Sequence, residues 1–351
     1  MFFSAFQVMS VLAAAISLSA LLSWGVTKWV HHRAEALGLV QAPNHRSSHN
    51  HPTPNGGGLG IVVAVNLAGI PLVLFSGWTL GWFLLGIAAL LAAVGLRNDI
   101  QHLPARVRFG VQVAVCAGLL FLLSDLPSIS FRVGSEFELG GWVLSGLLLL
   151  AGVWWINLFN FMDGIDGIAG EQAVFMLLGA AALGAWTNAD VISSPVWMLM
   201  LCVAAATVGF LLLNWPPTKI FMGDAGSTWL GFMVFALALL SVQADWLSYA
   251  TWLVFAAVFV TDATVTLLTR MLCGERWYEA HRNHAYQKLA RRWGGHQPVT
   301  LRAVAVNMLW LAPLAGACTA WPQWAFGWAL LAYAPLVVGA MVLGAGRPDH
   351  A

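Results

Sequence analysis

Charge is what this chain has least of. Of its 351 residues only 9% are Asp, Glu, Lys or Arg, and 60% are apolar; a soluble globular domain carries roughly 25% charged residues. A soluble fold of this length has no interior able to hide so much apolar surface, which excludes a soluble enzyme and identifies a polytopic membrane protein. Cysteine is scarce too: Cys116, Cys202, Cys273 and Cys318 are scattered, with no CxxC pair and no zinc spacing, so they read as core residues. The first apolar segment, residues 3–29, lacks a basic n-region and a small-residue cleavage site, and reads as a span rather than a signal peptide. A clear internal repeat of the transporter kind is also missing.

What is present is an all-α pattern of about eleven spans in a single domain, 1–351. They fall near 3–29, 59–75, 80–96, 108–124, 140–157, 171–187, 196–213, 226–243, 249–269, 301–319 and 323–343. The connections form two sets. One holds 30–58, 97–107, 158–170, 214–225, 270–300 and the tail 344–351; the other holds 76–79, 125–139, 188–195, 244–248 and 320–322. Fifteen of the sixteen Lys and Arg residues belong to or border the first set, and Arg132 alone belongs to the second. The positive-inside rule then puts the first set in the cytoplasm and the N-terminus outside. The longest outer connection, around 124–140, has room for a short hairpin and carries no reactive cluster.

The chemically interesting residues lie in the first set. WWINLFNFMDGIDGIAG (154–170) ends an apolar run with two Asn and two Asp-Gly pairs. Asp163 and Asp166 are three apart, so on a helical turn they share a face. Close carboxylates repel unless a cation, a proton or a substrate lies between them. GLRNDIQHLPARVR (95–108) sets Asn98 and Asp99 at the mouth of a span, where Asp99 is either a helix cap or a functional acid. In LNWPPTKIFMGDAGSTWLG (213–231), the prolines enforce an extended entry and Asp224 stands beside Gly at a helix start. Asp99, Asp163, Asp166 and Asp224 suit Mg²⁺, which takes hard oxygen ligands, often one or two carboxylates plus substrate phosphates.

Two basic loops complement them. NHRSSHNHPTPNGGG (44–58) offers Arg46, His49, His51 and a Gly triplet whose amides could form an anion nest; His49 and His51 lack a third zinc ligand at motif spacing. In ERWYEAHRNHAYQKLARRWGG (275–295), a helix would align His281, His284 and Lys288 on one face. The loop suits either a diphosphate or an anionic membrane surface. Asp262, about two turns inside a span, is either a functional carboxylate or a buried structural acid.

On RSSHNHPTPNGGG (46–58), NLFNFMDGIDGIAG (157–170), NWPPTKIFMGDAGS (214–227) and EAHRNHAYQ (279–287), the sequence resembles the polyprenyl-phosphate N-acetylhexosamine-1-phosphate transferases of the glycosyltransferase 4 type. That family includes the phospho-MurNAc-pentapeptide transferases; the last motif looks like the O-antigen or capsule-initiating branch. The resemblance implies a multi-pass enzyme of the bacterial cytoplasmic membrane. It would move sugar 1-phosphate from a UDP-HexNAc (GlcNAc, GalNAc, FucNAc or QuiNAc) to undecaprenyl phosphate and release UMP, with Mg²⁺ or Mn²⁺ as cofactor. It further implies that Asp224 and Asp99 organise the metal and that Phe221 stacks on uracil. Asn160, Asp163 and Asn214 would contact the nucleotide sugar or organise the fold, and Asp166 would complete the DGIDG turn. His281, Arg282 and His284 would hold phosphates, with Arg46, His49 and Lys219 as further substrate contacts. Membrane lipids and a homodimer partner fit this picture, and nucleic acid does not.

One departure stands out. The family usually carries two adjacent Asp at the end of the third span, and here the pair is Asn98–Asp99. Two other readings therefore stand beside the enzyme: a catalytically impaired relative that still binds ligand, and a transporter of nucleotide sugar or lipid-linked substrate. Against the transporter, the polar residues cluster on one side only.

Overall fold

The computed structural model describes residues 5–41, 52–123, 126–133, 135–275 and 281–348. The described chain is a helical bundle: α1 (Ala5–Arg33), α2 (Leu59–Ser76), α3 (Thr79–Gln101), α4 (Ala105–Leu122), α5 (Gly141–Met162), α6 (Ile168–Thr187), α7 (Pro195–Asn214), α8 (Asp224–Gln243), α9 (Tyr249–Phe255) and α10 (Ala257–Leu272) come first. They are followed by the short α11 (Ala285–Arg292), then α12 (Gln297–Val306), α13 (Ala312–Ala320) and α14 (Ala325–Val342). Strands β1 (Val40–Gln41) and β2 (Thr53–Pro54) pair antiparallel, as do β3 (Ile129–Val133) and β4 (Ser135–Leu139), the hairpin expected in the longest outer connection.

Among the described residues ten helical stretches are long and apolar enough to cross a membrane, and the pair α9–α10 makes an eleventh. The protein is therefore a multi-pass membrane protein. The ninth span differs from the continuous helix expected over 249–269: it bends by 75° between α9 and α10. No Pro or Gly stands at the break. Instead the Gln172 side chain on α6 donates from Nε2 to the Phe255 carbonyl at 2.9 Å, occupying the acceptor that a continuing helix would use. Insertion of a side chain into the hydrogen-bond ladder is a recognised cause of a sharp kink. The tenth span is continuous from Gln297 to Ala320, through a π-helical turn at Asn307–Leu311.

Helix α8 is the axis of the bundle. It is apolar all round and nearly every residue is buried, as expected of a helix enclosed by others. Its flanks pack on α3 and α5, and the Trp155 indole donates to the Gly231 carbonyl at 3.0 Å. Exposed Trp142, Trp186, Trp321 and Trp324 ring the end of the bundle where α5 begins and α6 ends, an aromatic belt of the kind found at membrane interfaces. The opposite end gathers 52–58, 97–104, 163–167, 215–223 and 281–296.

Candidate active site at the head of the central helix

Asp224 is the first residue of α8. Backbone geometry puts it there. Gly223, at φ 78°, turns the chain into the helix in a conformation other residues rarely adopt. A Cβ on Gly223 would stand 2.7 Å from Asp99 Oδ2, and one on Gly95 of α3 would stand 2.6 Å from the Asp224 carbonyl oxygen. Both glycines are what let α3 press against the first turn of α8.

Asp99 then caps that turn. Its Oδ1 accepts from the Asp224 amide at 2.9 Å, and its Oδ2 from the Ala225 amide at 3.1 Å. The Asn55 amide adds a third bond, 3.1 Å to Oδ1. Asp99 is thus a cap, but for α8, 125 residues away, and not for a helix of its own neighbourhood. A carboxylate at a helix N-terminus also complements the dipole there.

The Asp224 carboxylate is partly exposed and held by three donors. Asn98 Nδ2 reaches Oδ2 at 2.5 Å and Asn160 Nδ2 reaches Oδ1 at 2.9 Å. Arg108 Nη1 lies 3.3 Å from Oδ2. Asn160 also donates to Ser227 Oγ at 2.7 Å, so the end of α5 is stitched to α8. Asp163 follows at the C-cap of α5. Burial, and after it the charges of Asp224, Asp99 and Asp166, holds its carboxyl well above the ordinary carboxylate range.

The other Asp of the DGIDG turn has a different task. Asp166 is buried; its Oδ2 accepts from the Thr218 amide at 3.0 Å and its Oδ1 pairs with His296 Nδ1 at 2.9 Å. Its backbone carbonyl accepts from Thr300 Oγ1 at 2.8 Å. Asp163 and Asp166 therefore do not share a helical face: they lie in the turn between α5 and α6, and Asp166 is committed to joining that turn to the 215–223 passage and to α12. Asn214 is equally interior. It accepts from the Gly167 amide at 3.0 Å and donates to the Ile220 carbonyl at 2.9 Å, which makes it the fold-organising member of its pair of expected roles.

The Gly triplet is not an anion nest. The amides of Gly57 and Gly58 donate to the carbonyls of Phe221 and Met222 at 2.8 and 2.9 Å, and the Phe221 amide donates to the Pro54 carbonyl at 2.9 Å. The triplet runs alongside FMGD and fixes its backbone, leaving Phe221 half-buried and Lys219 exposed. Arg46 and His49, expected to contact substrate, lie outside the described residues.

The basic motif is anchored by Asp262. Its Oδ1 accepts from the Ala285 amide at 2.9 Å and Oδ2 from the Tyr286 amide at 2.8 Å. The same Oδ1 lies 3.2 Å from His284 Nδ1 and accepts from Thr266 Oγ1 at 3.1 Å. Asp262 is the structural acid of the two readings, and it holds HRNH in place. The helix starts only at Ala285, with His284 as N-cap. His281, His284 and Lys288 therefore do not form a helical face; the two imidazoles stack instead, 4.9 Å between centroids. Burial first, then His284 and Arg270, lowers His281 to about 4. Arg282 stands half-buried between the two imidazoles in sequence. Burial raises the Tyr286 phenol well above its ordinary range, and it donates to the Phe161 carbonyl at 2.9 Å, tying this motif to the end of α5. Sequence reasoning missed Asn55, Arg108, Tyr286 and His296; for the first two, proximity to NGGG and to the Asn98–Asp99 pair was the available signal.

The profile of glycosyl transferase family 4 matches residues 81–242. The probable undecaprenyl-phosphate N-acetylglucosaminyl 1-phosphate transferase of Bacillus subtilis is 30% identical over 283 residues, 80% of this chain and 76% of that protein. The chain belongs to glycosyl transferase family 4. Two further relatives are similar over most of their length. The undecaprenyl-phosphate alpha-N-acetylglucosaminyl 1-phosphate transferase of Escherichia coli K12 is 29% identical, covering 74% of this chain and 71% of its own. The decaprenyl-phosphate N-acetylglucosaminephosphotransferase of Mycolicibacterium smegmatis is 27% identical, covering 85% and 79%. The family 4 match begins in α3 and ends in α8, so it contains Asn98, Asp99, Asn160, Asp163 and Asp224 together.

Among the described residues no three His, Cys, Asp or Glu side chains surround a common point as a metal cage. The donor set nevertheless fits a hard divalent ion that brings its own waters and phosphate ligands. Asp224 is partly exposed beside Asp163, and among the described residues Arg108 is the one cation paired with Asp224. Asp99 accepts two bonds from the α8 cap and a third from Asn55, so Asp224, with Asp163 beside it, is the acid more open to the ion.

Proposed function

We propose that the protein transfers N-acetylhexosamine 1-phosphate from a UDP-sugar to a polyprenyl phosphate such as undecaprenyl phosphate, on the cytoplasmic face, as the first membrane step of an O-antigen or capsule glycan. The observation that carries this reading is the Asp224 carboxylate at the head of α8, steered by Asn98, Asn160 and Arg108 in a chain of family 4. The names of the relatives support the polyprenyl-phosphate acceptor and a GlcNAc donor. The fifteen-to-one division of Lys and Arg supports the cytoplasmic face.

An oxygen of the lipid phosphate attacks the β-phosphorus of the UDP-sugar. The bond from that phosphorus to the bridging oxygen breaks, its electron pair leaves with UMP, and a polyprenyl diphosphosugar remains. Asn98 cannot accept a proton, and none need be accepted: the second pKa of a phosphate monoester is about 6, so the acceptor is largely dianionic at neutral pH. Mg²⁺ bound at Asp224 would neutralise phosphate charge. Asn160 and Asn98 hold the Asp224 carboxylate in one orientation, Asp99 fixes the backbone beneath it, and Phe221 offers a ring for the base. His281 and Arg282 face the diphosphate from the Asp262-anchored loop.

Purified protein given undecaprenyl phosphate, Mg²⁺ and a panel of labelled UDP-HexNAc donors tests this. A lipid-linked product with stoichiometric UMP, abolished by EDTA and by Asp224→Asn, is expected. No product from any donor while UDP-sugars still bind would overturn it in favour of a binding protein or an impaired relative.

A further inference from the structure

A second feature lies behind the active-site loops. Helices α10, α11, α12 and α14 enclose a cavity of about 220 Å³ lined mostly by apolar residues, among them Leu289, Val299, Val306, Leu336 and Gly339. Pro335, also in its wall, is exposed, so the cavity opens toward the flank of the bundle where lipid lies. Helix α11 roofs it. Ala285, Leu289 and Trp293 recur every four residues and form one stripe, and all three line the cavity. None of Lys288, Arg291 and Arg292 lines the cavity; Arg291 lies on the face away from the stripe, and Lys288 and Arg292 flank it. This is the pattern of an interfacial helix with an apolar underside and a basic outer face.

The lining carries one charge of each sign, and they are differently placed. Among the described residues Arg302 is the only cation in the lining; its guanidinium lies 3.9 Å over the Trp293 ring and donates from Nη1 to the Pro298 carbonyl at 3.2 Å. Among the described residues the only carboxylate in the lining is Asp262, which is buried and already accepts from two amides and from Thr266 and faces His284. An apolar chain with an anionic head matches both halves of the site: the chain fills the cavity, and the head meets Arg302 at the level of the basic helix.

We propose that this cavity binds one chain of an anionic phospholipid, with Arg302 holding its phosphate. A polyprenyl phosphate has the same kind of chemistry, but its phosphate must reach Asn98 and Asp224. Met162 and Ile168, on either side of the DGIDG turn, line the cavity, whereas Asn160 on the same helix end reaches Asp224; the turn stands between the two. The bound lipid would brace α11 and, through the Asp262 anchor, the HRNH loop.

The test is lipid retention, which is independent of the proposed reaction. The full chain is placed in nanodiscs of equal phosphatidylglycerol and phosphatidylcholine, extracted gently, and its retained lipid counted by native mass spectrometry. Wild type should hold phosphatidylglycerol in preference. Arg302→Glu should reduce that preference by about tenfold, the scale of one charge-assisted contact. Gly339→Leu should expel either lipid; a Cβ at Gly339 meets nothing within 4 Å, so this variant fills the cavity without disturbing its walls. Equal retention of phosphatidylcholine by wild type, or unchanged phosphatidylglycerol in both variants, would overturn the proposal. Stoichiometric displacement by undecaprenyl phosphate would also overturn it and reassign the cavity to the substrate chain.

Discussion

Asn98 donates from Nδ2 to Asp224 Oδ2 at 2.5 Å, while its own Oδ1 accepts from the Leu103 amide at 2.8 Å. The Leu103 bond fixes which way the amide points, so the group facing Asp224 is a donor. A carboxylate at position 98 would set two negative oxygens against each other at the same distance, a pairing that needs a proton or a cation between them. The Asn at this position therefore pre-orients Asp224 before any ion arrives.

Asn98→Asp should accordingly trade ion-independent order for ion-dependent order. In EDTA the variant is expected to lose about 1–3 kcal/mol of stability, the cost of an unsatisfied partly buried polar pair, and Mg²⁺ should restore it. Thermal melts with and without Mg²⁺, read beside UMP release, check this. A variant as stable as wild type in EDTA would mean that the amide contributes nothing to holding Asp224.

The close approach of α3 to α8 yields a paired test on one helix. A Cβ at Gly95 would lie 2.6 Å from the Asp224 carbonyl oxygen and 2.7 Å from the Ala225 backbone, and one at Gly86 meets nothing within 4 Å. Gly95→Ala should displace the head of α8, cost about 1–3 kcal/mol as an overpacking change, and depress turnover more than the affinity for the UDP-sugar. Gly86→Ala should leave turnover unchanged and raise stability slightly, since Ala is the better helix former. Equal behaviour of the two variants would remove the geometric argument for Gly95.

Asp262 acts on the basic motif at a distance from the reacting atoms. With Asn in its place one oxygen becomes a donor, and the amides of Ala285 and Tyr286 compete for the other. Asp262→Asn should weaken UDP-sugar binding by about tenfold, or ~1.4 kcal/mol, with a smaller effect on turnover at saturating donor. Binding measured by calorimetry beside a kcat and KM determination separates this from general unfolding.

Much of this arrangement was legible in the sequence because polar residues are so rare in it. In a chain with 9% charge, NLFNFMDGIDG and IFMGD could only be loops at the membrane surface, and the spans followed from what lay between. Three things were not legible. The bend at Ala256 has no Pro or Gly to announce it, and its cause is the Gln172 amide, 83 residues away along the chain. Asp163 and Asp166 look alike in sequence, each followed by Gly; only the Thr218 amide and His296 distinguish the structural acid from the one beside Asp224. The Gly triplet carries the signature of an anion nest, yet its amides are used by the Phe221 and Met222 carbonyls. Each case turns on a tertiary partner that local pattern does not specify.

His281 gives a pH dependence with a definite sign. Its folded-state value is lowered to about 4, by burial first and then by His284 and Arg270, from an ordinary value near 6.5. Between these two values the unfolded chain binds a proton that the folded protein does not, so stability rises with pH across the window and is lost as pH falls from about 6.5 toward 4. The ring is neutral at pH 7, so under the proposed function it would serve a phosphate as a hydrogen-bond donor and not as a charge. His281→Gln, which keeps a donor and removes the titration, should flatten the stability profile across this range while retaining more UDP-sugar affinity than His281→Ala. Melts between pH 8 and pH 5, with donor binding measured at both ends, decide it: a wild-type profile no steeper than that of His281→Gln would place the proton elsewhere.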